Sequence, residues 1–149
     1  MGKIDQRLAT VATFGLDSSV FIYHLESHPT YLPMSQILFS GIEKGKWAAI
    51  TSVISLMEIC VLPLRFGQNA IARKYEAILV NFPNLHIVDV TRDITRRATQ
   101  LRAEYRLRPP DAIQAATCLM YKVKTFITND RQFTKLESIL DVIILDDFK

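Results

Sequence analysis

Four acidic residues stand where chemistry could be done. Asp17 ends the apolar run 11–16, VATFGL. Glu58 interrupts the apolar stretch 52–61, SVISLMEICV, which carries no cation of its own. Asp111 follows Pro109-Pro110 at the head of segment 111–121. Asp130 comes two residues after the run 124–128, KTFIT. Each has a plain local role open to it. Asp17 could cap a helix, and Glu58 could pair with Arg65. Asp111 could sit in the favourable field of a helix N-terminus, and Asp130 could cap a turn after Asn129. As a group they ask for more. Clustered carboxylates repel and raise one another's pKa values, and a divalent cation resolves that repulsion. Oxygen-only ligands point to Mg²⁺ or Mn²⁺ rather than zinc.

Other chemistries find less support. His24 and His28 lie four residues apart but have no Cys or Glu-flanked zinc motif, and read as surface or loop residues. Ser18 and Ser19 have no neighbouring His–Asp arrangement that would make a nucleophile. A phosphatase would need a second Asp two residues after Asp17, and Ser19 stands there. The two cysteines, Cys60 and Cys118, lie in apolar helical surroundings and read as reduced core thiols, not a disulfide scaffold.

The elements that must position the acids follow from the apolar pattern. Short runs at 11–16, 47–51, 86–90, 124–128 and 142–145 read as strands. Between them, 20–26, 33–44, 52–61, 68–80, 91–105 and 111–121 read as helices, with Pro63 ending the third, and 133–140 as a short, mostly helical piece. Strands alternating with helices predict a three-layer α/β/α fold on a mostly parallel five-stranded sheet. Ligands of such sheets gather beyond the carboxyl ends of strands, which is where Asp17 and Asp130 fall. Glu58 and Asp111 can lean in from helices. Residues 1–10 form an N-terminal extension, in which Ile4 and Leu8 could pack as one helical turn, and 11–149 form a single domain. At 149 residues with 49 % hydrophobic and 22 % charged residues, the composition is that of a globular chain.

The same residues resemble the PIN domain family, in its toxin-like ribonuclease (VapC-like) subgroup. Asp17-Ser-Ser-Val-Phe-Ile-Tyr23 is similar to the family's opening segment. Thr51-Ser-Val-Ile-Ser-Leu-Met-Glu58 is similar to its second acidic segment. Pro109-Pro-Asp-Ala-Ile-Gln-Ala-Ala-Thr117 resembles its central Asp-Ala-x-x-Ala-Ala run, and Ile127-Thr-Asn-Asp-Arg-Gln-Phe133 its final segment. The matches keep the family's order and span residues 14 to about 146. The resemblance implies a five-stranded parallel sheet, Mg²⁺- or Mn²⁺-dependent RNA cleavage by a metal-activated water, a homodimer, and a toxin paired with an antitoxin. It also implies that Asp17, Glu58, Asp111 and Asp130 are the metal and catalytic acids, with Ser19 and Thr128 as hydrogen-bond donors beside them. The chain departs from the pattern in its longer N-terminus and in Ser19, which replaces the commoner Asn.

On this reading Asp17 and Asp111 are the central ligands. Glu58 and Asp130 bind through water, orient the nucleophile or hold a second ion. RNA phosphates need cations to meet them. The candidates are Arg131 beside Asp130, Arg108 before the Pro-Pro loop, and Arg96 in the arginine-rich stretch 92–108; a solvated helix face is the competing reading. A net charge of +3 permits a nucleic-acid partner without demanding one. Tyr23, Trp47 and Phe133 could stack on bases or fill the core. Leu38, Phe39, Ile71, Tyr75 and Leu79 would make a dimer or antitoxin face if exposed. With no long apolar stretch, a cytoplasmic protein without a membrane segment is expected. Two other functions stay open: a nuclease for RNA processing or DNA, and a noncatalytic RNA-binding or protein-interaction domain.

Overall fold

The computed structural model describes residues 3–149. The start of the N-terminal extension, residues 1–2, lies outside the described residues. The strands are β1 (Thr13–Leu16), β2 (Ala48–Ser52), β3 (Leu85–Val88), β4 (Thr125–Thr128) and β5 (Asp141–Ile144). They form one parallel sheet in the order β3-β2-β1-β4-β5. The chain winds outward from β1 to β3, then returns to lay β4 against the other side of β1. The strand order therefore reverses at β1 and β4, and a crevice opens beyond their carboxyl ends.

Helices cover both faces. On one lie α1 (Lys3–Arg7), α2 (Ser18–Leu25), α3 (Leu32–Glu43), and inward residues of α4 (Ile54–Arg65) and α5 (Asn69–Val80). On the other lie α6 (Arg92–Tyr105), α7 (Pro109–Met120) and a 3-10 helix, Arg131–Leu136. The period of two in the strands sorts side chains between the two cores. Phe14, Leu16, Ala49 and Ile127 enter the first, and Ile50 and Phe126 the second. Ile4 and Leu8 are buried in the first core, so α1 is docked and not frayed. Among the described residues no helix is long and apolar enough to cross a membrane.

Two small-residue devices bring helices close to the sheet. Ala112, Ala115 and Ala116 of α7 are fully buried. Opposite them, a Cβ on Gly15 would meet Cys118 Sγ at 2.3 Å and the Phe126 ring at 2.9 Å. The absence of a side chain on β1 is what lets α7 lie there. Pro63 does not end α4 as its position predicts; the helix runs to Arg65. Proline removes its own N–H and crowds the carbonyl four residues back, but it leaves the donors that follow it free to bond. The following turn still closes through Phe66 N–H to Leu62 O at 3.2 Å and Gln68 N–H to Pro63 O at 2.8 Å. Gly67, at φ +71°, makes the actual stop.

Candidate active site

Asp17 leaves the end of β1 and caps α2. One oxygen accepts from Ser18 N–H at 2.9 Å, and the other from the Thr128 hydroxyl at 2.6 Å. The local capping role and the site role thus coexist on one side chain. Thr128, last residue of β4, also accepts from Asp130 N–H at 3.0 Å, and so ties the two acids of the strand ends together. Burial pushes the Asp17 carboxyl up to about 6, against those two hydrogen bonds; the charges of Glu58 and Asp111 push it further. Asp130 caps the 3-10 helix through Gln132 N–H at 2.9 Å.

Glu58 and Asp111 come from helices. Burial raises the Glu58 pKa; Asp111 adds to that rise, while Ser18 and Arg108 oppose it. Glu58 makes no ion pair with Arg65 among the described residues. Asp111 lies in the first turn of α7 behind two prolines, whose missing N–H groups need no helical acceptor there. Both its oxygens accept from Arg108, from Nε at 3.0 Å and Nη2 at 3.3 Å. The same Nη2 stands 3.5 Å from Asp130.

All four acids line one open cavity of about 370 Å³, with Ser18, Ser19, Tyr23, Arg108, Asn129 and Arg131. The Ser19 hydroxyl is buried and has no hydrogen-bond partner among the described residues. Among the described residues no three His, Cys, Asp or Glu side chains close tightly enough to hold one ion between them. The Arg108 guanidinium stands between Asp111 and Asp130 instead. The donor set nevertheless suits a hard divalent cation. It offers carboxylate oxygens in excess of local cations and an orphaned hydroxyl.

The expected RNA-contacting arginines separate. Arg108 and Arg131 line the cavity, but Arg131 is turned to Asp147 at 2.7 Å. Arg96 does not line it and pairs with Asp93 on the exposed side of α6. Among the candidate stacking residues, Trp47 and Phe133 are core. Tyr23 reaches the cavity, within a stack with His28 and Tyr31 and with its hydroxyl accepting from Asn129 Nδ2 at 3.1 Å. His24 is part-buried, its Nδ1 3.1 Å from Ser35 Oγ.

A buried polar network under the acids lies beyond what the sequence reading identifies. Gln114, one turn beyond Asp111, accepts from Ser52 N–H at 3.2 Å and donates to Ser55 Oγ at 2.7 Å. Ser55 Oγ lies 2.7 Å from Thr51 Oγ1, which donates to Leu16 O at 2.8 Å. The network joins α7, the start of α4 and the ends of β1 and β2, which carry Asp111, Glu58 and Asp17. Its one visible signal is an amide inside the run Ala112-Ile-Gln-Ala-Ala116.

Of the apolar residues expected to make a partner face if exposed, Ile71 is exposed and Tyr75 partly buried. Leu38, Phe39 and Leu79 are buried. The exposed apolar residues concentrate on α4 and just beyond it, at Met57, Val61, Leu64 and Phe66, because α4 shares only part of its circumference with α5, α2 and α7. Cys60 is half-buried on the same helix, so only Cys118 is a core thiol; neither is in a disulfide.

The family model of the PIN domain matches residues 15–139. Solved structures share the fold. VapC20 (Rv2549c) of Mycobacterium tuberculosis, a sarcin-ricin loop cleaving toxin, aligns with a TM-score of 0.66 and 17% identity, over 81% of this chain and 92% of that one. A toxin–antitoxin complex from Klebsiella pneumoniae aligns with a TM-score of 0.62 and 23% identity, over 90% and 97%. VapBC-5 of M. tuberculosis aligns with a TM-score of 0.57 and 25% identity, over 89% and 97%. None of the curated proteins matches the sequence.

Proposed function

Because this chain belongs to the PIN domain family, we propose that it is a divalent-metal-dependent endoribonuclease and the toxin of a toxin–antitoxin pair. One observation carries the reading: Asp17, Glu58, Asp111 and Asp130 line a single cavity at the reversal point of a parallel sheet. The relatives of known structure, several of them toxin–antitoxin complexes, support the toxin role.

Asp17 and Asp111 would hold the cation, with Asp130 and Glu58 completing the oxygen set. When bound, Mg²⁺ or Mn²⁺ supplies charge stabilisation for the phosphoryl group and a water of lowered pKa. Thr128 and Ser18 fix the orientation of Asp17, so that its oxygens need not reorganise. Glu58, half-buried and with a raised pKa, is suited to take the proton of the attacking water. Ser19 offers its unpartnered hydroxyl to a ligand-bound water or a phosphate oxygen. Arg108 supplies the cation nearest the strand's path. The water oxygen bonds to phosphorus, the phosphorus–oxygen ester bond breaks, and the leaving oxygen is protonated from solvent.

For the partners, the exposed apolar side of α4 suits an antitoxin helix or a second copy of the chain. A cytoplasmic setting fits two thiols with no disulfide. The test is cleavage of RNA with Mg²⁺ or Mn²⁺ by the wild type and by Asp111→Asn, with single-stranded DNA of the same sequence alongside. Equal RNA cleavage by both proteins would sink the site assignment. Cleavage of the DNA alone would move the substrate from RNA to DNA.

A further inference from the structure

Asp111 is buried, yet its two oxygens have a single partner among the described residues, and that partner is exposed. Arg108 covers both through a paired contact, while its own side chain is 71% accessible to solvent. It rises from the extended residue that precedes α7 and leans over the cavity, close enough to Asp130 for a second, looser contact at 3.5 Å. Asp17 has no such cover, since its oxygens are taken by groups of the interior. A guanidinium and a divalent cation cannot share the same carboxylate face without strong repulsion. A long, exposed side chain can leave at little cost. A nucleic-acid backbone offers it an equivalent partner, because a phosphate presents the paired oxygens that a guanidinium fits.

Resting on the reading of the cavity as a metal-dependent ribonuclease site, we infer that Arg108 is an exchangeable counterion. It neutralises Asp111 and Asp130 in the resting protein and passes to an RNA phosphate, which leaves both carboxylates to the cation. Metal and RNA binding are coupled through this one side chain, and the coupling is reciprocal. The resting protein is held in a low-affinity state for metal by its own residue. Arg131 does not play this part in the resting protein, because it pairs with Asp147 and with none of the four acids.

Mn²⁺ affinity, measured by calorimetry on the full chain, tests this without reference to turnover. Arg108→Gln should bind Mn²⁺ roughly tenfold more tightly than the wild type. Arg96→Gln, which changes the net charge equally but lies outside the cavity, should match the wild type. A short phosphorothioate oligoribonucleotide should tighten Mn²⁺ binding to the wild type by a similar factor and to Arg108→Gln by little. Arg108→Lys keeps the charge but cannot form the two-pronged hydrogen bond, and should fall between them. Equal or weaker Mn²⁺ binding by Arg108→Gln overturns the inference alone, as does an equal gain from the oligonucleotide in both proteins. If Arg108→Gln does not fold, Arg108→Lys binding no more tightly than the wild type overturns it. Absence of Mn²⁺ binding by every variant overturns the metal-nuclease reading together with it.

Discussion

Asp17 and Asp111 are buried to nearly the same degree, 8% and 6% exposed, and face each other across one cavity, yet opposite means hold them. On the strand wall, Asp17 accepts two neutral hydrogen bonds from the interior. Neutral donors orient a carboxylate without cancelling its charge, so burial still dominates and the pKa stays near 6. On the helix wall, Asp111 is answered by a full positive charge that solvent can reach. That cation cancels charge well but is not fixed. One wall is rigid and electrostatically strained; the other is relaxed and adjustable.

The largest expected effect treats the walls alike. Asp17→Asn and Asp111→Asn should each lower RNA cleavage by about a thousandfold or more, as loss of a charge-stabilising group does. Retention of activity by one of them would show that a single wall carries the chemistry.

Stability should separate the walls. The Asp17 pKa is raised in the folded protein, from 3.8 to about 6. The folded state therefore binds more protons than the unfolded state between those values, and stability falls as pH rises through that window. In EDTA, Asp17→Asn should be more stable than the wild type above pH 6, by on the order of 3 kcal/mol, with the advantage vanishing near pH 4. Urea melts across this range measure it. Asp111→Asn removes only an ion pair with an exposed guanidinium, and should change stability by no more than about 1 kcal/mol. Matching pH profiles for the two variants would break the comparison.

Gln114→Leu tests what joins the walls. It leaves the Ser52 N–H and the Ser55 hydroxyl without their partner, and should cost about 1–3 kcal/mol. Cleavage should fall as well, although Gln114 lines no part of the cavity. A small effect is expected from Thr128→Val. Removing a hydrogen bond that holds the Asp17 carboxylate ionised should cost about 1 kcal/mol and move the window of falling stability to higher pH. An unchanged window would mean that Ser18 and burial alone set that pKa.

Much of the fold and the site is legible in the chain because the signals are local. The run 11–16 followed by Asp17, and the run 124–128 followed by Asp130, announce strand ends carrying acids. A period of two and a period of 3.6 are properties of neighbours along the chain, and they survive folding unchanged. Pro63 misleads for an equally local reason. Proline reads as a helix stop, whereas the next turn closes around it. The exposed side of α4 is not legible, because an apolar residue carries no mark of whether a partner element covers it.

The type and order of the acids, the alternation of strands and helices, and the match of Pro109–Thr117 to a PIN segment were determined by the sequence itself. Only the tertiary structure decided which cations reach the cavity of the acids. Arg96 and Arg108 each pair with an acid three residues away, Asp93 and Asp111, but only the fold sets Arg108 beside Asp130 as well, turns Arg131 to Asp147 and leaves Arg96 outside the cavity. Thr128 reaches Asp17 across 111 positions of chain. A flexible charged side chain takes the nearest opposite charge in space, and for Arg131 and the second contact of Arg108 that neighbour is supplied by an element the fold brings alongside.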